Sequence, residues 1–163
     1  MRKIEVKRLV EAPPSAVWAV LADFPNISSW NTGVKKSFST SDATDGVGAK
    51  RHCDLAPMGA LEETVQVWEP ESRMEISIDS AEGLPIRRGL AEFALQAIET
   101  GTEVSVIYSY EPRFGAVGQL MGRMMIDRQL TKGFAGFLKD LDQTARRRLP
   151  RDSRRAPHRA PCP

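Results

Sequence analysis

The sequence predicts an α+β protein: a curved, seven-stranded antiparallel sheet wrapped around one long C-terminal helix, with two short helices after the first strand. Three observations carry this. Residues 4–31, IEVKRLVEAPPSAVWAVLADFPNISSWN, read as a strand, a Pro-Pro stop, a short amphipathic helix and a turn ending on an aromatic. From residue 33 to residue 112 the hydrophobic period is two. Residues 115–148 then hold the one long stretch of helical periodicity. A sheet and a helix arranged in this way leave a space between them, and function is expected in that space.

Residues 2–11 form the first strand. Ile4, Val6 and Arg8 alternate with Glu5, Lys7 and Leu9, a mixed face that suits a sheet edge. Pro13 and Pro14 close the strand and open a helix, because proline is tolerated in a first helical turn. Val17, Val20, Leu21 and Phe24 give that helix one apolar face, and Pro25 ends it. One more turn over residues 26–30 brings Trp30 over the sheet.

Six further strands are read over 33–40, 48–55, 60–69, 72–80, 86–98 and 102–112. Turn signals such as Asp45-Gly46-Val47-Gly48, Glu82-Gly83-Leu84-Pro85 and Thr100-Gly101 separate them. The connections are short, so neighbours pair as antiparallel hairpins. Met74, Ile76 and Ile78 share one face; so do Val104, Val106, Tyr108 and Tyr110. Leu61, Val65 and Val67 form a third apolar row, with Glu63 inside it.

On the long helix, Val117, Leu120, Met121, Met124, Leu130, Phe134, Phe137, Leu138, Leu141 and Ala145 make the apolar stripe. Gly115, Gly118, Gly122, Gly133 and Gly136 interrupt it, each costing roughly 1 kcal/mol relative to Ala. Such glycines point to close backbone approach, a kink, or room left for something else.

At 163 residues the chain is one domain with a real core, residues 1–148, followed by a tail, residues 149–163. The net charge of +2 conceals an asymmetry. Residues 146–163 carry seven Arg and one Asp, while the rest carries 16 basic and 20 acidic groups. The acidic body argues against a nucleic-acid-binding domain. The Arg- and Pro-rich tail is expected to be disordered, either as a solubilising extension or as a contact for RNA, anionic lipid or an acidic partner. No apolar run approaches the ~20 residues needed to span a bilayer, and MRKIEVKRLVEAPP lacks the apolar core of a signal peptide. Cys53 and Cys162 make no disulfide framework, which fits a reducing cytoplasm.

No catalytic motif stands out. With two His, one of them in the tail, no metal-ligand spacing exists, so neither metal nor other cofactor is expected. Gly46-Val47-Gly48 lies between strands and lacks a third Gly, so it is no dinucleotide fingerprint. Glu63 is the most informative side chain, since it sits where an apolar residue is expected. Buried, it would be a candidate acid or base; alternatively it faces outward, or pairs with Arg51 across the hairpin. Tyr108 and Tyr110 offer aromatic bodies with hydroxyl tips, either for ligand contact or for sheet packing. His52 shares a face with Lys50 and Asp54, while Arg51 and Cys53 share the other. The sequence does not decide which of these faces is inward.

Glu11-Ala12-Pro13-Pro14, Val17-Trp18, Leu21-Ala22-Asp23-Phe24, Trp30, Gly46-Val47-Gly48-Ala49, Glu63-Thr64-Val65, Trp68-Glu69-Pro70 and Gly101-Thr102-Glu103-Val104 form a series of short stretches. Together they resemble the START-like helix-grip superfamily, and within it the polyketide cyclase/dehydrase and lipid-transport family. The resemblance covers about residues 2–147. It implies a sheet gripping the long helix around a cavity. Glu63, Met74, Ile76, Phe93, Tyr108 and Tyr110 would face the helix. Met121, Met124 and Phe134 would lie opposite, with Trp30 and Met58 near the mouth.

The expected function is binding of a small hydrophobic or aromatic molecule, lipid- or polyketide-like, in that cavity. Burying roughly 200–300 Å² of ligand apolar surface is worth about 5–8 kcal/mol before association costs. The resemblance also implies a cyclase or dehydratase, with Glu63, Tyr108 or Tyr110 moving protons. A third reading is an interaction module acting through the basic tail. The open sheet edge at strand 1 is where a homodimer would form.

Overall fold

In the computed structural model, residues 1–113 and 119–149 are described, with side chains in the last helix from residue 124 onward. The chain order is β1 (Arg2–Val10), α1 (Pro14–Leu21), a 3-10 segment (Phe24–Ser29), β2 (Val34–Ser39), β3 (Lys50–Leu55), β4 (Ala60–Glu69), β5 (Arg73–Glu82), β6 (Ile86–Ile98), β7 (Gly101–Pro112) and α2 (Gln119–Arg148). The seven strands form one antiparallel sheet in the order β1-β7-β6-β5-β4-β3-β2. The mixed-face first strand is an edge, as the alternation requires. The expected curved sheet with a long C-terminal helix and short helices after strand 1 is the fold observed.

The first helix stops earlier than its proline signal. It ends at Leu21, and Ala22 caps it by donating to the Trp18 carbonyl. Phe24 and Pro25 open the 3-10 segment instead, where proline again sits in a first turn. Leu149, read from sequence as the first tail residue, packs against the core. The rest of the tail and the glycines at 115 and 118 fall outside the described residues, while Gly122 lies in the early part of α2, where only the backbone is described.

Two bulges in β4–β5 change which side chains face inward. The register passes from Val65 opposite Ile76 directly to Val67 opposite Glu75, leaving Gln66 as an extra residue. One extra residue exchanges the two faces beyond it. Val67 therefore leaves the row of Leu61 and Val65. Trp68 takes its place opposite the fully buried Met74 and packs edge-on against Trp18, with ring centres 5.2 Å apart. A second bulge, at Asp79, keeps Glu63 opposite Ile78 on the inner face.

The core has two parts. Val10, Val17, Val20, Phe24, Val104 and Val106 join Leu138, Leu141 and Ala145 of α2 with essentially no exposure. This closed end fixes the C-terminal half of the helix. Arg8 pairs with the buried Asp142 at 3.2 Å, and Arg2 binds Asp127 at the other end of β1. Six strand residues rise about 20 Å and fifteen helix residues about 22 Å. The matching lengths mean that α2 runs beside β1 in the same direction. Phe93 of β6 meets Phe137 of the helix, with ring centres 5.4 Å apart, and around that contact a cavity remains between the helix and strands β3–β6.

Candidate functional site

The cavity measures about 510 Å³. Ile76, Ile78, Ala91 and Phe93 form its sheet wall, and Ile126, Leu130, Phe134 and Phe137 form its helix wall. Its rim is made by the β3–β4 loop, with Pro57 and Met58, and the β5–β6 loop, with Leu84 and Pro85. The two loops touch through glycines. A side chain at Gly59, whose φ is +107°, would lie 2.9 Å from Leu84, and one at Gly83 would lie 3.3 Å from the Gly59 backbone. Met58 is 70% exposed on this rim.

Strand β3 supplies the polar part of the wall. Arg51 and Cys53 face inward and are buried, so the outward face belongs to His52. There the His52 ring stacks on Phe38 and meets the Glu62 and Asp54 carboxylates, which raise its pKa above the ordinary value. Inside, Arg51 Nε donates to Glu63 Oε2 at 2.6 Å, and Arg51 Nη1 donates to the Phe24 carbonyl at 2.7 Å. The guanidinium lies 4.0 Å from the Phe24 ring centre. The Cys53 thiol donates to the same Glu63 oxygen at 3.4 Å, and burial pushes that thiol up, out of the reactive range. Glu63 is thus both buried in the cavity wall and paired with Arg51; two alternatives left open by the sequence hold together.

Tyr108 lies across the sheet. Its ring packs against Phe134 and is stacked on Tyr110. Its hydroxyl finds no hydrogen-bond partner among the described residues, and burial followed by the Glu63 charge pushes its pKa up, so it stays protonated. Tyr110 differs. Its ring is fully buried and its hydroxyl donates to Asp127 of α2, while burial and that carboxylate push its pKa up to about 12.

Of the residues expected around the site, Met58, Glu63, Ile76, Phe93, Tyr108 and Phe134 line the cavity. Met74 is sealed in the core, and Trp30 stands behind the wall with its ring edge-on to Phe137 at 5.2 Å. Met124 is 75% exposed. It precedes Leu130 by six residues, which places it about 240° around the helix from that cavity-facing side chain. The side chain of Met121 lies outside the described residues. Ile126, four residues before Leu130, takes the inward position. Asn31, Leu55, Leu61, Leu84 and Ala91 also line the cavity and were not singled out from sequence. Among the described residues no cluster of His, Cys, Asp and Glu is arranged to hold a metal, and no helix is long and apolar enough to cross a membrane.

A sheet gripping a helix around an apolar cavity defines a START-like helix-grip protein. The chain belongs to the polyketide cyclase/dehydrase and lipid-transport family, whose model matches residues 1–146. Solved structures give the same fold. The ZhuI aromatase/cyclase from Streptomyces sp. R1128 aligns with a TM-score of 0.73 at 18% identity, over 93% of this chain and 97% of that one. A START superfamily protein from Mycobacterium smegmatis aligns with a TM-score of 0.73 at 12% identity, over 89% and 97%. A Thermus thermophilus protein aligns with a TM-score of 0.75 at 16% identity, over 90% and 98%. No functionally curated protein matches the sequence. At these identities the structural likeness speaks for the fold alone.

Proposed function

We propose that the protein binds a small hydrophobic or aromatic molecule in the helix–sheet cavity. The observation that carries this is the cavity itself. About 510 Å³ of space walled by Ile, Leu, Ala and Phe, with few polar groups, is the usual form of a small-molecule site. Glu63, Ile76, Phe93, Tyr108, Phe134 and the rim residue Met58 are the proposed contacts. The family's description includes lipid transport, which agrees with an apolar ligand. Native mass spectrometry of the purified protein, with extraction of any passenger, tests the reading. A stoichiometric apolar passenger, or saturable quenching of Trp30 fluorescence by an added aromatic, is the expected result. Neither a passenger nor saturable binding of any apolar probe would refute it.

A cyclase or dehydratase using the same cavity is the second reading, and one observation favours it. The Tyr108 hydroxyl is protonated, without a partner among the described residues, and in the cavity wall. It would donate to an enolising carbonyl while Glu63 moves a proton. On this reading Glu63→Gln and Tyr108→Phe abolish turnover of a poly-β-keto substrate while leaving binding in place; unchanged turnover in both removes these residues from any mechanism. The interaction-module reading is separated by deleting residues 150–163, which should leave ligand binding intact.

A further inference from the structure

Among the described residues that line the cavity, the groups charged at neutral pH are Arg51 and Glu63. They neutralise each other at 2.6 Å. A ligand carboxylate entering here would place a second anion beside Glu63 with no second cation to meet it. An unpaired charge in an apolar site is strongly disfavoured.

Of the remaining polar side chains in the lining, the Cys53 thiol is spent on Glu63 and Gln129 is exposed on α2, while Asn31 and Tyr108 offer donors from within. Asn31 is buried, and its Oδ1 accepts from the Gly33 amide at 2.8 Å, which turns its NH₂ group away from that contact. No partner for that NH₂ group occurs among the described residues. The Tyr108 hydroxyl is the second such donor. Its position depends on Gly89: a Cβ there would lie 2.3 Å from the hydroxyl oxygen. Gly89 has no side chain, so the phenol lies flat across β6. Gly89 pairs with Ile78, Ile78 with Glu63, and Glu63 with Arg51. The hydroxyl therefore sits on the cross-strand row that carries the ion pair, two strand spacings from Glu63, or about 10 Å.

We infer that this polar end selects an uncharged ligand bearing an acceptor oxygen, such as a ketone, quinone or ester carbonyl, and discriminates against carboxylates. Gly89 is the residue that positions the Tyr108 donor for it. This rests on the binding role proposed above.

Three probes with one ring system separate the two: 2-acetylnaphthalene, 2-ethylnaphthalene and 2-naphthoate, titrated against the full chain at neutral pH by calorimetry. The ketone should bind about five-fold tighter than the hydrocarbon, the worth of one neutral hydrogen bond. It should bind at least about tenfold tighter than the acid. Tyr108→Phe should reduce the ketone's advantage over the hydrocarbon, and Glu63→Gln should narrow or reverse its advantage over the acid by leaving Arg51 uncompensated. If naphthoate equals or exceeds the ketone on the wild-type protein, the inference falls while the cavity reading stands. If none of the three binds, the inference falls, and the passenger measurement above decides the cavity reading separately. The wild-type series decides this even where Glu63→Gln does not fold.

Discussion

Replacing Gly89 by Ala puts a methyl carbon 2.3 Å from the Tyr108 hydroxyl oxygen and 2.7 Å from the ring carbon bearing it. Both are far inside van der Waals contact. The strand backbone at Gly89 does not have a positive φ, so the substitution adds no backbone strain. The ring must move instead. Tyr110 and Phe134 hold it on two sides, and the cavity gives it one direction of escape. Overpacking a core costs typically 1–3 kcal/mol, and the escape route places this site at the lower end. Removing a glycine from a strand returns roughly 0.5–1 kcal/mol. The expected net destabilisation is at most about 0.5 kcal/mol, or a drop in Tm of no more than about 2 °C for a domain of this size. Urea denaturation gives the free energy directly. The decisive comparison is a double-mutant cycle with Tyr108→Ala, in which Gly89→Ala should become neutral or stabilising. An equal cost of Gly89→Ala in both backgrounds would refute the seating of Tyr108 on Gly89.

Other outcomes follow from the same geometry. Arg51→Met leaves Glu63 buried and unpaired and should cost about 3–5 kcal/mol in chemical denaturation, most of it recovered by adding Glu63→Leu. Arg2, chiefly through its hydrogen bond, holds the Asp127 carboxyl below its ordinary value of 3.8. The stability this supplies is present above that value and is lost as pH falls through the lower folded pKa, so Asp127→Asn should flatten the acid limb of a Tm–pH curve. His52 works in the opposite sense. Its pKa is raised above 6.5 by Glu62 and then Asp54, so its contribution is complete below pH 6.5 and is lost as pH rises through the folded value. An NMR titration of the His52 ring should show the raised midpoint, and Glu62→Gln should bring it down.

Much of the architecture was legible because each strand repeats with period two and each turn carries its own Gly or Pro. Strand β7, with Val104, Val106, Tyr108 and Tyr110, needed nothing more than alternation. The bulges were not legible. Gln66 looks like any exposed strand residue, and only its lack of a partner in the register exchanges Val67 and Trp68 between faces. The helix wall was partly legible. Leu130, Phe134 and Phe137 keep a spacing of three and four, whereas extending the stripe back to Met124 skips six residues and loses the phase. Ile126 restores it, and strict spacing would have found it. The polar wall was the hardest part. Arg51 and His52 are adjacent charged positions on one strand, and which of them turns inward depends on Glu63 and the Phe24 carbonyl meeting Arg51 from other elements. Asn31 lines the site from a loop without periodicity, so no pattern marks it.

The two glycines in the middle of α2 bear on how such a cavity changes size. Helix α2 is fastened near both ends, by Arg2 and Tyr110 on Asp127 and by Arg8 on Asp142. Between these fastenings lie Gly133 and Gly136, and a Cβ at either position meets nothing within 4 Å. Gly133 lines the cavity. A larger side chain at 133 can therefore occupy part of the chamber while the helix axis stays where its ends are tied. Part of the chamber's capacity is thus set by a single residue on an already fixed helix, and a side chain at 133 would narrow the space without rebuilding the walls.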